Sequence, residues 1–424
     1  MNDLTGKRLL LMGGMQISCE IVKQAHKMGV IVGVADYYPA EKSPAKRIAD
    51  AHHEVSITDV DAVVELIKRE RYDGVLVGFN DMLLPYYAQI CEKAGLPCYG
   101  TQEQFETLIA KDRYKALCRQ FGVPTIQEYA VDDPNIQYPV LIKPVDSSGS
   151  RGITICRDAQ ELAAAIEQAK RFSKTEKFLI ERYMDGQEVT VFWIFQDGEY
   201  YVSALGNRHV KQGQGDDIIP LPVGYTFPSI YLKKYMEQVA PRCKQMFRHL
   251  GIRNGMMFMQ CKVEDGTCYV YDLGFRLTGS QEYKIIERVC GYDPMAMMIH
   301  YALTGSMGEA DLAAKANPMF GTPAFNISCL CSPCTIQRIE GLEQVRMMPE
   351  VLDAVVAHPA GETITPEMRG LLAQITIRIL GVAESKEHLW DTIEKIYKPI
   401  AIIGTDKMNH LLPGLIKEDL QDIK

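Results

Sequence analysis

The chain has 424 residues, of which 47% are hydrophobic and 24% charged, with a formal net charge of -8 and a pI of about 5.7. These values are typical of a globular protein of two to four domains, and the acidic balance argues against a nucleic-acid-binding protein. No apolar run is long enough to span a membrane, and the N-terminus enters a strand without a signal peptide, so we expect a cytoplasmic protein with no nucleic-acid or membrane partner. The 12 scattered cysteines indicate a reducing compartment.

Short apolar runs alternate with segments of helical spacing over residues 8–100. We predict strands at 8–12, 30–35 and 75–77, helices at 17–28, 58–71 and 83–94, and a last strand that starts at 97–99. Continuous apolar strands that alternate with helices are typical of a parallel sheet covered on both faces. The sequence therefore predicts an N-terminal parallel α/β domain over residues 1–100.

Two features of this region invite a dinucleotide interpretation. A Gly13-Gly14 turn follows the first strand, and Asp36 follows the second. The turn lacks the Gly-x-Gly-x-x-Gly spacing, however, and an acid after a second strand is common. The same turn at a helix N-terminus could hold any anion, including a substrate carboxylate.

A polar loop between two strands follows a basic helical segment at 101–122. Apolar residues 138–142 lead into Lys143-Pro144, the loop continues through three serines, two glycines and an arginine, and residues 153–156 lead out. Glycine backbone N–H groups, hydroxyls and a guanidinium suit a polyanion such as a triphosphate. The spacing is neither that of a Walker A loop nor that of a Rossmann turn. A flexible hairpin tip is the alternative interpretation.

The next segment combines a helix at 158–171, strands at 178–184, 189–195 and 199–205, and a helix at 231–250. Between them, residues 207–227 have little periodicity and contain Arg208, His209 and Lys211. We predict a polar loop of functional importance there, because long unstructured loops inside compact domains are usually functional.

Two strands at 256–263 and 267–276 carry polar residues inside an apolar sheet. With a three-residue turn, Gln260 shares a face with Asp272. Period two places Asp272, Gly274 and Arg276 on one face. Buried polar groups are unfavourable without partners, so we expect a ligand, a metal or an ion pair at this face.

The remainder of the chain is predicted to be helical and then rich in strands. We predict helices at 280–289, 293–303 and 386–397, a linker at 305–321, strands at 324–330, 335–339, 355–356 and 375–382, and an edge strand at 399–403. Cys331 and Cys334 have the spacing of half a zinc site, but no second pair follows and Ser332-Pro333 marks a turn, so we interpret the segment as a hairpin. Whether Cys329, Cys331 and Cys334 do more than pack is left open.

Taken in order, these motifs resemble the ATP-grasp family over most of the chain. The basic helix at Lys111, Lys143-Pro144, the Gly/Ser loop, Leu179-Ile180-Glu181 with Gly186-x-Glu188, and the Asp272 to Arg276 strand follow the family's order. The resemblance implies a pre-ATP-grasp α/β domain at 1–100, an ATP-grasp nucleotide-binding domain at 101–305 and a small β-rich α+β domain at 306–424. The branch that it resembles most includes glycinamide ribonucleotide synthetase, the biotin carboxylase fold and the amino-acid ligases.

The resemblance also implies roles for individual residues. It assigns ATP binding to two phosphate lysines, a mobile loop, an adenine hinge and a ribose-binding acid: Lys111, Lys143, Ser147, Ser148, Gly149, Ser150, Gly152, Glu181, Arg182, Met184 and Glu188. It places Arg276 near the substrate carboxylate and the acyl phosphate, and it places Mg²⁺ at Asp272 and Gln260. Arg208, His209 and Lys211 could orient the carboxylate or the amine.

The implied reaction joins a small carboxylate to an amine with ATP and Mg²⁺ through an acyl phosphate. The chain departs from the family pattern, because Gln260 stands where a Glu is usual and Asp272-Leu273-Gly274-Phe275-Arg276 replaces Glu-x-Asn-x-Arg. A catalytically weakened ATP-binding protein with a regulatory or assembly role is therefore the alternative, and an NAD-dependent dehydrogenase is a distant third. Relatives of this architecture are often dimers, so a homodimer is compatible with the sequence.

Overall fold

The computed structural model describes residues 4–147, 152–211 and 221–420. These residues form a four-stranded parallel sheet, a four-stranded antiparallel sheet, a three-stranded sheet and one large sheet of eight strands. The loop residues Ser148, Gly149 and Ser150, which the resemblance assigns to phosphate binding, lie outside the described residues.

The N-terminal region is the predicted parallel α/β unit. Its elements are β1 (Arg8–Met12), α1 (Ser18–Lys27), β2 (Ile31–Asp36), β3 (Ala51–Glu54), α2 (Val60–Glu70), β4 (Gly74–Val77) and α3 (Leu84–Ala94). The strand order is β3-β2-β1-β4, and all neighbouring strands are parallel. The strands β1, β2 and β4 are nearly continuous buried runs, which is the pattern that predicted them.

Two details of this region differ from the prediction. The sequence did not predict β3, because this edge strand contains only polar residues after Ala51. The predicted strand at 97–99 is wrong. Tyr99 lies instead in a cluster of aromatic rings with Phe105 and Phe275, and its hydroxyl donates to the Phe275 carbonyl oxygen at 3.1 Å. Tyr99 therefore connects the N-terminal region to the strand that carries the predicted substrate arginine.

The small antiparallel sheet follows two short helices. Its region contains α4 (Gln102–Ile109), α5 (Lys111–Gln120), β5 (Glu128–Tyr129), β6 (Val140–Pro144), β7 (Thr154–Cys156), α6 (Leu162–Arg171) and β8 (Phe178–Arg182), with the strand order β5-β8-β6-β7. The single helix predicted at 101–122 is two helices, because Ala110 is extended. The predicted strand, loop and strand around Lys143 are confirmed, since β6 and β7 pair antiparallel.

The eight-stranded sheet runs through the rest of the chain. Its first part and the covering helices are β9 (Glu188–Gln196), β10 (Glu199–Lys211), β11 (Leu221–Phe227), α7 (Leu232–Gln238), α8 (Ala240–His249), β12 (Gly255–Glu264), β13 (Thr267–Gly274), α9 (Tyr283–Cys290) and α10 (Pro294–Thr304). The helix predicted at 231–250 is divided at Val239, where Pro241 occupies the first turn of α8.

The C-terminal region extends the same sheet. It contains α11 (Leu312–Lys315), β14 (Ala324–Leu330), β15 (Cys334–Glu340), α12 (Leu342–Arg346), β16 (Val351–Val356), β17 (Thr363–Ile364), β18 (Ile375–Val382), α13 (Lys386–Tyr397) and β19 (Ala401–Gly404). The large sheet has the order β13-β12-β9-β10-β11-β14-β18-β16, and a small sheet has the order β17-β15-β19, which confirms an edge position for the last strand. Because the large sheet crosses residue 305, the domain boundary there stays a prediction.

Two predictions for the C-terminal region are wrong. β14 and β15 do not form a hairpin, because β14 pairs with β11 and β18 whereas β15 pairs with β17 and β19. Residues 305–321 are not a free linker, since Met307, Leu312 and Phe320 are buried in the main hydrophobic core.

The polar loop predicted at 207–227 is wrong for residues 207–211 and 221–227, and its residues 212–220 lie outside the described residues. β10 continues to Lys211, and β11 begins again at Leu221. The polar residues have partners across the pair of strands, since Arg208 lies opposite Tyr225 and His209 lies opposite Gly224. Polar side chains that pair inside a sheet give the same sequence pattern as a loop, which explains the error.

In the β12–β13 hairpin, Gln260 lies opposite Asp272, although the turn differs from the predicted one. The turn has two residues, Asp265 and Gly266, and both have positive φ angles, as in a type I′ turn. A register shift between Gln260 and Cys261 then moves the pairing by one residue. The shared face predicted for Gln260 and Asp272 is confirmed, although the predicted three-residue turn is wrong.

In the part of the chain that the structure describes, no helix has both the length and the apolar character that a membrane crossing requires.

Substitution of Gly74 in β4 tests how closely the parallel sheet packs against α10. A Cβ at this position would lie 2.1 Å from the carbonyl oxygen of Ala302. We expect Gly74→Ala to reduce the free energy of unfolding by roughly 1–3 kcal/mol, the range for overpacking, because backbone atoms must move. Urea unfolding measures this. Gly321→Ala, where a Cβ would meet nothing within 4 Å, is the control and should change stability by less than about 0.5 kcal/mol. An equal loss in the two variants would contradict the packing argument.

Asp293 gives a test of pH dependence. It accepts hydrogen bonds from the Met295 and Ala296 backbone N–H groups, at 2.9 and 3.0 Å, and from Gln24 Nε2 at 2.6 Å. Burial raises its pKa to about 6. Because the unfolded carboxyl ionises first, the associated stability is complete below pH ~4 and is lost as the pH rises through about 6.

We expect the free energy of unfolding of Asp293→Asn, measured relative to that of wild type, to rise between pH 4 and 7 by up to about 3 kcal/mol. Urea unfolding across this pH range measures the difference. A difference that does not change with pH would show that Asp293 has an ordinary pKa.

Candidate functional site

A cavity of about 250 Å³ lies between the small antiparallel sheet and one face of the eight-stranded sheet. Apolar side chains from both sheets form its walls, among them Ile126, Leu141, Ile155, Met184, Val210 and Leu221. Of the residues predicted from sequence, the cavity brings together Lys111, Lys143, Ser147, Glu181, Arg182, Met184, Glu188, Gln260 and Asp272. An enclosed space with apolar walls and a charged end suits a flat ring attached to an anionic group.

Glu181 is the most enclosed acid of the cavity. It lies on β8, is 1% exposed, and receives Lys143 Nζ of β6 at 2.8 Å. Lys115 of α5, which is completely buried, forms a second ion pair with the same oxygen. Burial favours a higher pKa for Glu181, but the two lysines outweigh burial, so that its pKa lies below the usual value. The carboxylate therefore stays ionised and holds Lys143 at the cavity.

Sequence reasoning missed Lys115. It lies one turn after Lys111 on α5, so that both lysines share a face of this helix. Lys115 also lies 3.0 Å from Glu128 and donates to the Ile126 carbonyl oxygen at 3.3 Å. The four-residue spacing from Lys111 was the available signal. Lys115 thus joins α5 to the small sheet beneath the cavity.

Lys143 is nearly as buried as its partner. Its ammonium donates to the Tyr271 carbonyl oxygen at 3.1 Å, which joins the small sheet to β13. Burial lowers the pKa of Lys143, Glu181 opposes this effect, and Lys115 and Lys111 add to it. Lys143 thus presents a buried ammonium group to this end of the cavity, where it can also contact an anion.

Lys111 begins α5 and lies at the entrance of the Gly/Ser loop. Its ammonium donates to the Ser147 carbonyl oxygen at 2.8 Å and lies 3.7 Å from Asp272 Oδ1. At the other end of the loop, Gly152 has a φ of +75°, and a Cβ there would lie 2.6 Å from Phe172 Cβ. Only glycine fits this position without a shift of the neighbouring residues.

Glu188 lies in a second cluster of charges at the opposite side of the cavity. It forms an ion pair with Arg208, lies 2.9 Å from Lys262 Nζ, and accepts a hydrogen bond of 3.0 Å from the Tyr271 hydroxyl. Burial favours a higher pKa for Glu188, but Arg208 and Lys262 outweigh burial, so that its pKa lies below the usual value. Sequence reasoning missed Lys262 and Tyr271. Period two along β12 places Lys262 on the face of Gln260, which was the available signal.

Gln260 and Asp272 lie directly opposite each other on β12 and β13, and both line the cavity. Among the described residues, no group of three or more His, Cys, Asp or Glu side chains is placed to hold a metal. Mg²⁺ is usually held by one or two carboxylates together with substrate phosphates and water. One carboxylate and one amide oxygen beside Lys111 fit a Mg²⁺ that arrives with a nucleotide.

Arg276 lies beyond the cavity lining, where the N-terminal region meets β13. Its guanidinium makes a two-bond contact with Asp81, at 2.7 and 2.6 Å, and lies over the Phe258 ring at 5.2 Å. Gly274 makes room for this contact, since a Cβ there would lie 2.4 Å from Phe258 and 3.2 Å from Asp81. Sequence reasoning missed Asp81, although an acid just after β4 lies at the carboxyl edge of the parallel sheet, where ligands bind in such folds.

His209 and Lys211 do not line the cavity. His209 follows Arg208 on β10 and therefore points to the other face of the sheet. Its Nε2 lies 2.8 Å from Thr226 Oγ1. Lys211 lies 2.9 Å from Asp419. Their catalytic roles stay predictions that this geometry does not favour.

Arg182 and Met184 follow Glu181 along the cavity wall. Arg182 makes a two-bond contact with Glu264 at 3.0 and 2.8 Å, so that its guanidinium is turned toward the hairpin end. Met184 is buried. The predicted adenine hinge therefore offers mainly backbone groups and an apolar side chain.

Asp36 cannot serve a dinucleotide ribose in this arrangement. Its carboxylate accepts from the Gly14 backbone N–H at 2.9 Å, from the Tyr38 backbone N–H at 2.9 Å and from Ser43 Oγ at 2.7 Å. The buried ammonium of Lys46 lies 2.9 Å away. Asp36 therefore fixes the loops at the edge of the parallel sheet.

The comparisons with known proteins agree with this geometry. Residues 136–281 match the family model of the ATP-grasp domain. The carbamoyl phosphate synthase large chain of Clostridium perfringens is 24% identical over 413 residues, which are 92% of this chain and 38% of that protein. The arginine-specific large chain of Geobacillus stearothermophilus is 28% identical over 58% of this chain and 24% of its own. The chain thus spans less than two fifths of the length of these relatives.

Three solved structures share the fold over nearly the whole chain. An L-amino acid ligase from Bacillus licheniformis has a TM-score of 0.76 at 19% identity, covering 95% of this chain and 99% of that one. Phosphoribosylglycinamide synthetase from Anaerococcus prevotii has a TM-score of 0.73 at 17% identity, with 94% and 100% covered. Biotin carboxylase from Campylobacter jejuni has a TM-score of 0.74 at 16% identity, with 97% and 94% covered. The chain carries an ATP-grasp domain within the fold that these ligases share.

Proposed function

We propose that this protein is an ATP-dependent ligase that joins a small carboxylate to an amine and releases ADP and phosphate. The observation that carries the proposal is the convergence of Lys111, Lys143 and Asp272 at the charged end of a cavity with apolar walls. Lys143 and Asp272 lie within residues 136–281, which match the ATP-grasp domain. ATP-grasp ligases at this level of structural similarity act on different substrates, so the particular acid and amine are left open.

The proposed binding mode follows from the distribution of charge. The adenine lies between the apolar walls, beside Met184 and the backbone of the preceding hinge residues. The ribose lies near Glu188, and the phosphates extend toward Lys111 and Lys143. Ser147 and Gly152 border the loop that would cover the β- and γ-phosphates, with Ser148, Gly149 and Ser150 between them.

In the first step, a carboxylate oxygen of the acid attacks the γ-phosphorus of ATP, the bond to ADP breaks, and an acyl phosphate forms. In the second step, the amine attacks the acyl carbon, phosphate leaves with the bonding electron pair, and the amine proton passes to solvent. Lys111 and Lys143 neutralise charge on the phosphates. We assign Arg276, which lies beyond the cavity lining and contacts Asp81, to the substrate end of the site, near the acyl phosphate. Asp272 and Gln260 would hold Mg²⁺, which supplies further charge neutralisation when bound.

A protein that binds ATP with little or no catalysis is the second candidate function. The observation that favours it is the replacement of an acid by Gln260, which leaves Asp272 as the one carboxylate of the facing pair. ADP release measured with defined mixtures of carboxylates and amines distinguishes the two. A ligase releases ADP with at least one mixture, whereas the second candidate melts at a higher temperature with ATP and releases none. Either function places the protein in the cytoplasm, where ATP is abundant, and a homodimer is compatible with both.

Lys143→Ala tests the nucleotide assignment. We expect the Kd for ATP to rise roughly tenfold or more, because a phosphate-facing cation is lost from a desolvated site. The fold should persist because Lys115 still pairs with Glu181. Isothermal titration with ATP measures the change. Lys170→Ala, which removes an exposed lysine of the same region, should bind ATP as wild type does. An unchanged affinity in Lys143→Ala would remove the basis of the nucleotide assignment.

A matched pair of variants tests the metal assignment. Asp272→Asn should abolish Mg²⁺-dependent turnover and the Mg²⁺-dependent part of the ATP-induced rise in Tm, while the ligand-free Tm stays unchanged, because Asp272 is partly exposed. Gln260→Glu adds a carboxylate directly opposite Asp272 and should lower the Mg²⁺ concentration at half effect by roughly tenfold. Full Mg²⁺ dependence in Asp272→Asn would place the metal elsewhere.

A further inference from the structure

Arg378 is a buried arginine that the proposed mechanism does not use. It lies on β18 between Ile377 and Ile379, both of which are buried in the C-terminal core. Because side chains alternate along a strand, Arg378 points to the opposite face of the sheet. It lies directly opposite Ser328 of β14, on the same face as Asn326.

The face that carries Arg378 is the face of the nucleotide cavity. Across the sheet, Asn326 lies opposite Tyr225, Tyr225 lies opposite Arg208, and Arg208 lies opposite Glu188. Arg208 and Glu188 line the cavity, so that one row of polar side chains runs from the cavity to the strand beside Arg378. Arg378 therefore extends the polar surface of the cavity into the C-terminal region.

The guanidinium of Arg378 has few partners for a charge so deeply buried. The side chain is 9% exposed, and Nη1 donates to Asn326 Oδ1 at 3.0 Å. Within residues 4–147, 152–211 and 221–420, that neutral amide is the hydrogen-bond partner of the guanidinium. No carboxylate in these ranges forms an ion pair with it. Burial lowers the pKa of Arg378. A buried charge is unfavourable without an opposite charge and further hydrogen bonds.

Two hydroxyls beside Arg378 are also without partners among the described residues. Ser328 Oγ and the Tyr283 hydroxyl are both buried and make no hydrogen bond in this part of the chain. Ser328 lies directly opposite Arg378, which places the two Cβ atoms about 4.5–5.5 Å apart. Tyr283 is the first residue of α9, which packs against β18. Among the described residues, two hydroxyls without partners thus accompany a guanidinium whose acceptor is a neutral amide.

Glu282, the acid that does most to raise the pKa of Arg378, already accepts hydrogen bonds from other residues. It accepts from Thr278 Oγ1 at 2.5 Å and from Asn326 Nδ2 at 3.3 Å, and Asn326 thereby stands between this acid and Arg378. Asn326 Nδ2 also donates to the Ser280 carbonyl oxygen at 2.6 Å. The segment 278–282 begins two residues after Arg276, so that Arg378 is connected to the segment that follows the proposed substrate arginine.

We propose that Arg378, Ser328 and Tyr283 form a binding site for a carboxylate of the substrate. The planar guanidinium can donate two parallel hydrogen bonds to the two oxygens of a carboxylate, and the hydroxyls can donate to the same group. This inference rests on the proposed ligase function and assigns the recognition of one substrate group to the C-terminal region. The carboxylate belongs either to the acid that is activated or to an amino acid that serves as the amine.

Thermal unfolding of the full chain with small carboxylates tests the site. The probes are the sodium salts of acetate, glycine, L-alanine and succinate, each compared with sodium chloride at equal ionic strength. We expect at least one probe to raise the Tm of wild type, and Arg378→Met to bind it roughly tenfold more weakly or worse. Arg378→Lys, which keeps the charge and loses the planar fork, should retain part of the response.

The ligand-free Tm separates a binding role from a structural one. An unsatisfied buried charge does not stabilise the fold, so we expect Arg378→Met to melt within about 2 °C of wild type or higher. Arg157→Met, at an exposed position, is the control for the loss of an arginine. A lower ligand-free Tm for Arg378→Met, an unchanged response to the probe, or no response of wild type to any probe would overturn the proposal.

Two further measurements complete the design. If ATP still raises the Tm of Arg378→Met, failure of the carboxylate-site proposal leaves the proposed ligase function intact. Hydroxylamine, which replaces the amine, separates the two sources of the carboxylate. Loss of hydroxamate in Arg378→Met assigns the site to the activated acid, whereas retained hydroxamate with loss of coupling to glycine assigns it to the amino-acid amine.

Discussion

The ion pairs between Glu181 and two lysines are the interaction on which the candidate site depends. One buried carboxylate connects three elements, since Glu181 is on β8, Lys143 on β6 and Lys115 on α5. Removing the shared carboxylate would leave the buried ammonium of Lys143 without an opposite charge, which is much less favourable than the intact set. The carboxylate therefore fixes where Lys143 lies and how α5, which also carries Lys111, approaches the cavity.

A second charge contact decides how the N-terminal region meets the rest. Asp81 follows β4, and Arg276 follows β13, so that their two-bond contact joins elements distant in sequence. Gly274 makes this contact possible, because any side chain at that position would meet Phe258 or Asp81. The departure from the family pattern at residue 274 is thus accompanied by a carboxylate from another region of the chain.

Much of this architecture could be predicted from the sequence, because the signals were local. Buried apolar runs predicted the parallel sheet, and the resemblance to the ATP-grasp family implied that Lys143, Glu181 and Glu188 lie at one nucleotide site. The errors arose where a residue's environment depends on distant segments. Residues 207–211 looked like a loop because their partners lie on another strand. Lys115, Asp81 and Lys262 were missed for the same reason, since each is identified by an acid or an arginine far along the chain.

The continuity of the eight-stranded sheet limits how the chain can be divided. β11 pairs with β14, and every residue of β11 is buried. A fragment that ends near residue 305 would keep the segment matched to the ATP-grasp domain but would leave β11 with an unpaired apolar edge. Exposed edges of this kind join to other chains, so such a fragment would aggregate or recruit a second copy of itself. The C-terminal region is therefore a structural requirement for the sheet that forms one wall of the cavity.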